Sequence, residues 1–93
     1  MFFKKNKNGI FTTQEWFLDR NSRIYIANDL ISKKNLIGKS KLALIQFLGD
    51  EFNDLNSKLW TYYLGEKHIF FYLKKYYLKI KFNEKEKVVE VSF

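Results

Sequence analysis

The chain has 93 residues, a formal net charge of +7 and no cysteine. This length supports one domain, and the lack of cysteine excludes disulfides, thiolate metal sites and a cysteine nucleophile. The hydrophobic fraction of 46% and the aromatic fraction of 19% are too high for a disordered chain, and no apolar run approaches the ~18 residues of a membrane span. The sequence therefore predicts one small, soluble, basic domain.

The positive charge has two possible origins. Lysine outnumbers arginine by 15 to 2, and the AT-codon residues Lys, Asn, Ile, Phe and Tyr make up 47 of the 93 positions. Because phosphate clamping and base recognition favour the arginine fork, this bias favours a solvated surface over a nucleic-acid-binding stripe. The excess charge lies in the first eight residues and in residues 67–87.

The composition indicates a flexible basic N-terminal arm at residues 1–9 and a single domain at residues 10–93. The first residues lack the apolar run and cleavage site of a signal peptide. As written, the sequence predicts an untargeted, cytoplasmic chain. A leader removed from before Met1 would instead place it in the periplasm or cell envelope.

Two helical segments are predicted. The first begins at the N-cap Thr12 and runs from Thr13 to about Ser32, with a possible break at residues 19–22. Its apolar positions recur at helical spacing and predict a buried stripe, with Arg23 outside it. The members of that stripe are Ile24, Tyr25, Ala27, Leu30 and Ile31.

The second helix is predicted from Lys41 to Leu48, between the N-cap Ser40 and Gly49. It is almost wholly apolar, so most of its sides are expected to be buried. Lys41 and Gln46 are expected to reach water. The alternative is that one flank of the helix, at Leu42, contributes to an exposed contact patch.

Alternating apolar residues after a polar loop at 50–57 predict strands at 59–64, ending at Gly65, and at 77–82 and 88–93. The short turn at 83–86 makes the last two strands antiparallel. Residues 66–76 are ambiguous and predict a fourth strand, with Lys74 and Lys75 marking a bend. The expected fold is a two-layer α+β domain of the order α-α-β-β-β, with three or four strands and Trp60 in the core.

No set of residues predicts catalysis, a cofactor or a metal. Gly38-Lys39-Ser40 resembles the end of a phosphate-binding loop, but its first glycine is replaced by Lys33, so a turn followed by a helix cap is favoured. His68 is the only histidine, and it lies in a strand-like run. The acidic cluster at Asp50, Glu51 and Asp54 fits a solvated loop better than a cation site.

One segment could carry a binding function, because it interleaves lysines with aromatic residues. The alternative, which is favoured, is a half-buried strand whose lysines protect it from edge pairing. Together with Leu42, the candidate interaction residues are Tyr72, Lys74, Lys75, Tyr77, Lys79 and Lys81.

The order of signals resembles a known family. Two helices joined by Leu36-Ile37-Gly38-Lys39-Ser40 and closed by Gly49-Asp50 precede strands that begin with Trp60-Thr61-Tyr62-Tyr63-Leu64-Gly65. This arrangement is similar to the BamE (SmpA/OmlA) type of domain and to β-lactamase-inhibitor-protein repeats. BamE-type proteins are lipoproteins, and this sequence has no cysteine for lipid attachment.

The resemblance implies a non-enzymatic module of the cell envelope that binds protein or lipid headgroups, and it supplies no individual binding residue. Another protein is the favoured partner, including one that this chain would cap as an inhibitor or regulator. The alternative is a basic nucleic-acid-binding module that uses the lysine- and tyrosine-rich strand. A steep salt dependence would distinguish nucleic-acid binding from apolar docking.

Overall fold

The computed structural model describes residues 9–93, and the predicted N-terminal arm lies outside them except for Gly9. Helices come first and a three-stranded antiparallel sheet follows, which confirms the predicted α+β fold. The helices are α1 (Thr13–Leu18), α2 (Ile24–Ser32) and α3 (Lys41–Leu48), with a 3-10 turn at Arg20–Ser22 between the first two. The strands are β1 (Leu59–Ile69), β2 (Tyr72–Phe82) and β3 (Val88–Ser92), in the spatial order β1-β2-β3.

The helix ends lie where the polar residues predicted them. The Thr12 hydroxyl accepts a hydrogen bond from the Glu15 amide, and the Ser40 hydroxyl accepts one from the Ala43 amide. Asp19 caps the 3-10 turn, so the predicted break between α1 and α2 is present. Gly49 ends α3 with a φ of 77°, a conformation that glycine adopts without strain.

The core lies between the helices and one face of the sheet. Trp60 is fully buried, as predicted, and its ring meets Phe82 edge-on at 4.9 Å. On the helical side Trp16 is fully buried, and its indole N–H donates to the Leu48 carbonyl. The helix-side face of the sheet is formed by Trp60, Tyr62, Leu64, Leu78, Ile80 and Phe82.

Three predictions about burial are wrong. Tyr25 is 56% exposed, because the buried stripe of α2 passes through Ile26 instead. Arg23 is only 3% exposed, since its guanidinium is held by Glu51 and by backbone carbonyls. Lys41 is 8% exposed, because its ammonium group donates to the Leu55 carbonyl at 2.7 Å.

The predicted strand boundaries are also wrong in one region. The first strand does not end at Gly65 but continues to Ile69, and β2 begins at Tyr72. Residues 66–76 therefore lengthen two strands instead of forming a fourth. Lys74 and Lys75 lie within β2, and the turn falls at Phe70 and Phe71.

Within residues 9–93, no helix is long and apolar enough to cross a bilayer.

Candidate interaction site: the projecting hairpin

The helical layer reaches its limit on the sheet at Gly65. The β1–β2 register shifts between Tyr63 and Gly65, which marks a β-bulge. Gly65 has a φ of 126°, and a Cβ atom there would lie 2.7 Å from the Asn21 carbonyl oxygen. The 3-10 turn thus packs directly on the backbone of β1 at this point.

Beyond the bulge, β1 and β2 continue as a two-stranded extension, here called the projecting hairpin (residues 66–75). Four residue pairs lead to its turn: Glu66 with Lys75, Lys67 with Lys74, His68 with Leu73 and Ile69 with Tyr72. None of the ten residues from 66 to 75 is buried, although strand residues on the helix-side face before the bulge are fully buried. The extension therefore offers both of its faces to a partner.

Apolar residues are concentrated at the tip of the projecting hairpin. Phe70 is 92% exposed and Phe71 is 102% exposed, so both rings stand in solvent. Tyr72 and Leu73 are 59% and 50% exposed, and Ile69 is half-buried. Five consecutive apolar residues at one surface point form the kind of patch that marks an interaction site.

The turn itself holds a bulky residue in an unfavourable conformation. Phe70 has a φ of 55°, a left-handed value that is uncommon for a non-glycine residue and unusual for an aromatic one. Two-residue hairpin turns normally have Gly, Asn or Asp at such positions. The sequence places phenylalanine where glycine would be free of strain.

Lysines follow the apolar tip along the hairpin. Lys67 and Lys74 lie directly opposite each other, an arrangement that is destabilising for two like charges. Both ammonium groups lie near the Tyr76 ring, at 5.9 Å and 5.2 Å from its centroid. Among the ion pairs of residues 9–93, none involves either lysine.

Glu66 is the one carboxylate residue of the projecting hairpin, and it lies at the base of the hairpin beside the bulge. Glu66 lies opposite Lys75 in the β1–β2 pairing. Burial raises the pKa of Tyr63, and the negative charge of Glu66 raises it further. Glu66 therefore acts on Tyr63 beside the bulge, and Lys67 and Lys74 have no ion-pair partner within residues 9–93.

Comparisons with protein-family models, with curated proteins and with solved structures find no match. The geometry described above is therefore the support for this candidate site.

The structure does not bring all the predicted interaction residues together. Alternation along β2 places Tyr72 and Lys74 on the continuation of the helix-side face. The opposite, uncovered face carries Lys75, Tyr77, Lys79 and Lys81.

Leu42 is 70% exposed on α3, but it lies far from the hairpin. Its neighbour Lys41 contacts Glu86 in the β2–β3 turn, at the end of β2 opposite Tyr72. Since β2 spans Tyr72–Phe82, the two ends are about 30 Å apart. Leu42 and the hairpin tip therefore cannot form one contact patch.

The uncovered sheet face offers few free aromatic rings. The Tyr63 and Tyr77 rings meet edge-on at 5.8 Å, and the Arg20 guanidinium covers Tyr63 at 5.2 Å. Lys81 pairs with Glu90 at 3.6 Å, since the two residues lie directly opposite each other on β2 and β3. Although it contacts Tyr63, Tyr77 is 43% exposed. Among the Phe, Tyr and Trp strand residues of this face in the described chain, it is the one that is exposed.

Sequence reasoning missed Phe70, Phe71 and Lys67 as site residues. Their signal was an apolar run, Ile69 to Leu73, bounded on both sides by lysines and lacking Gly, Pro or Asn. Without a turn residue the run was interpreted as one strand instead of the two arms of a hairpin.

The other candidate chemical sites have structural roles. The Gly38 amide donates to the Val88 carbonyl, and the Val88 amide donates to the Lys39 carbonyl, so this segment pairs with β3. His68 is an exposed residue of the projecting hairpin. Within residues 9–93, His, Asp and Glu side chains do not gather in groups of three or more that could hold a metal ion.

Proposed function

We propose that this protein is a non-enzymatic binding domain that contacts its partner through the projecting hairpin. The observation that carries this proposal is the pair Phe70 and Phe71, fully exposed at the tip of an extension that the helical layer leaves uncovered. Large apolar patches on a small domain mark interaction sites, whereas single exposed apolar residues need no explanation.

The requirements of folding do not account for the composition of the hairpin. Its residues are not buried, so their apolar side chains contribute little to the core. Edge protection would explain the lysines but not adjacent phenylalanines in the turn. A segment that served only to join two strands would be more stable with glycine in place of Phe70, the one turn residue with a positive φ.

The resemblance to BamE-type domains favours the same class of function. It implies a non-enzymatic module of the cell envelope, and this finer assignment stays a prediction. The absence of catalysis also stays a prediction, and stoichiometric metal binding combined with hydrolysis of a generic ester would contradict it.

Site-specific photo-cross-linking tests the proposal. The photoreactive residue p-benzoylphenylalanine replaces Phe71 in one variant and Phe52 in another, since Phe52 is equally exposed at 102% but lies in the loop before β1. A third variant carries it at Leu42, the predicted contact on α3. The variants are expressed in the cells from which the chain comes and are irradiated there.

We expect cross-linked adducts at position 71 that are absent at positions 52 and 42. If the adducts are to a protein or a nucleic acid, excess wild-type protein should compete for them, and excess Phe70→Ser/Phe71→Ser protein should not. Adducts at position 42 with none at position 71 would show that the contact surface lies on α3 and not on the hairpin. Equal, non-competed labelling at all three positions would also contradict the proposal.

A further inference from the structure

We propose that the partner of the projecting hairpin is an anionic phospholipid membrane, into whose interface the tip inserts. This inference rests on the proposed function and specifies its partner. It follows from the order of residue types along the hairpin, from the distribution of apolar residues around the tip, and from the placement of the lysines.

The hairpin is graded along its own axis. Phe70 and Phe71 are at the end, the next two residue pairs are Ile69 with Tyr72 and His68 with Leu73, and the third pair is Lys67 with Lys74. At ~3.3 Å per residue, the lysine pair lies about 10 Å behind the turn. Interfacial protein segments bury their apolar parts ~5–10 Å into the boundary between headgroups and acyl chains. The lysines therefore come to headgroup level when the phenylalanines reach the acyl chains.

Apolar side chains surround the tip instead of lining one face. Ile69 and Tyr72 project on the helix-side face and Leu73 on the other, while Phe70 and Phe71 close the end. A groove on a protein partner would contact one face and leave the other in water. A lipid interface covers an inserted tip from all sides, which matches this distribution.

The lysines are placed to meet negative charge. Lys67 and Lys74 repel each other across the strands, and in the described structure neither has a carboxylate partner. A lipid phosphate between them would relieve that repulsion and bind both ammonium groups. Lysine side chains also extend along apolar surface to place their charge at the headgroup level. Attraction to an anionic leaflet then adds to the insertion of the rings.

Single-stranded RNA fits this arrangement less well. Base stacking needs aromatic rings on a flat strand face with cations beside them. Here the most exposed rings are in the turn and the cations lie behind them. Neither Phe70 nor Phe71 belongs to the uncovered sheet face that carries Lys79 and Lys81.

Vesicle co-sedimentation tests the inference with the full chain. The protein is mixed with vesicles of phosphatidylcholine containing phosphatidylserine, and separately with vesicles of phosphatidylcholine alone. We expect binding to the mixed vesicles and much weaker binding to the neutral ones. The Phe70→Ser/Phe71→Ser variant should bind the mixed vesicles at least about tenfold more weakly, because two apolar side chains no longer insert. The Lys67→Gln/Lys74→Gln variant should bind about 30-fold more weakly.

Matched controls distinguish vesicle binding by the hairpin from non-specific binding by other exposed apolar or basic residues. Phe52→Ser removes an equally exposed phenylalanine, and Lys34→Gln/Lys85→Gln removes two exposed lysines outside the hairpin. Both controls should retain at least half of the parent affinity. Circular dichroism should show that all variants fold, since none of the substituted residues is buried.

A spectroscopic readout reports insertion directly. A Phe71→Trp variant adds an exposed indole to two tryptophans that are already fully buried. Its fluorescence should shift to shorter wavelength with mixed vesicles and should be quenched by lipids brominated on the upper acyl chain. The parent protein should show neither change.

Several results would overturn the inference. These are equal binding to neutral and mixed vesicles, control variants that lose as much affinity as the hairpin variants, or an unshifted emission of the Phe71→Trp variant when it sediments with vesicles. Absence of vesicle binding, together with competed protein or nucleic-acid adducts at position 71, would reject the membrane and leave the hairpin as the contact element. Absence of both would reject the proposed function as well.

Discussion

Nη1 of Arg23 lies 2.7 Å from Oε1 of Glu51, in an ion pair that joins the start of α2 to the loop before β1. The same guanidinium donates to the carbonyls of Trp16 and Tyr63, and the second oxygen of Glu51 accepts from the Tyr63 amide. Burial lowers the pKa of Arg23, and the adjacent Glu51 opposes that effect. One buried pair therefore connects α1, α2, the loop and the sheet.

Removal of the Glu51 carboxylate should destabilise the domain strongly. Glu51→Ala leaves the guanidinium of Arg23 buried without its partner, and breaking such pairs costs about 3–5 kcal/mol. Urea unfolding measures the change. The control is Glu90→Ala, which breaks the exposed Lys81–Glu90 pair and should cost less than about 1 kcal/mol. Similar effects of the two substitutions would show that the Arg23–Glu51 pair has no special role.

Trp60 should be essential to the core. It is fully buried, packs on Phe82 and donates its indole N–H to the Asp54 carbonyl at 2.8 Å. Trp60→Ala should therefore lower the free energy of unfolding by about 3–5 kcal/mol. Leu42→Ala, at an exposed position, should change it by less than about 0.5 kcal/mol. A Trp60→Ala variant that melts within a few degrees of the parent would contradict the described core.

Gly65 should tolerate no side chain, whereas Gly38 should tolerate one at a modest cost. Both have positive φ, but a Cβ at Gly65 would approach the Asn21 carbonyl oxygen to 2.7 Å, and one at Gly38 would meet nothing within 4 Å. We expect about 1 kcal/mol of destabilisation for Gly38→Ala and about 3 kcal/mol for Gly65→Ala. Thermal melting distinguishes them. Equal losses would mean that the 3-10 turn does not pack on the bulge.

Tyr62 should make the domain sensitive to alkali. Its hydroxyl donates to the Gly49 carbonyl at 2.6 Å, and burial, reinforced by Glu51 and Asp50, raises its pKa. An unfolded tyrosine ionises near pH ~10, whereas folded Tyr62 keeps its proton. The favourable contribution is therefore complete below pH ~10 and is lost as the pH rises towards the higher folded value.

The Tyr62→Phe variant isolates this effect. At neutral pH it should be about 1 kcal/mol less stable than the parent, because one hydrogen bond is lost. Above pH ~10 the gap should narrow by up to about 1.4 kcal/mol per pH unit. Urea titrations across this range provide the measurement, with Tyr72→Phe as the exposed control. A gap that stays constant with pH would exclude a raised pKa for Tyr62.

Replacement of Phe70 by glycine should separate stability from binding. Glycine adopts the φ of 55° without strain, so Phe70→Gly should leave the free energy of unfolding unchanged or raise it by up to about 1 kcal/mol. The same variant should bind mixed vesicles less well, because one inserting ring is lost. Thermal melting and co-sedimentation of one preparation measure both. A destabilised variant with unchanged vesicle binding would show that Phe70 has a structural role.

Local signals in the sequence were sufficient to locate the ends of the helices. Each of these signals involves residues within about one turn of helix. They are the hydroxyl caps at Thr12 and Ser40, Gly49 at the end of α3, and the apolar spacing of α3. The alternation around Trp60 and Ile80 likewise predicted which side of the strands is buried. These features depend on neighbours in the chain, so one sequence contains them.

The remaining features depend on distant residues. Arg23 and Lys41 are buried because Glu51, Leu55 and backbone carbonyls surround them, and charge alone predicted exposure for both. The hairpin turn was missed because Phe70 adopts a conformation that its residue type disfavours. Neither the partners of a buried charge nor a strained turn can be identified from residue spacing.

The bulge at Gly65 separates the packed domain from ten residues that belong to no core cluster. Substitutions between residues 66 and 75 change no contact of the buried core, so binding affinity and selectivity can change there while the core packing is kept. Substitutions at Arg23 or Glu51 change the ion pair that holds Tyr63, next to the base of the hairpin. Substitutions in the hairpin can therefore alter binding without loss of the fold, whereas loss of this ion pair would affect both.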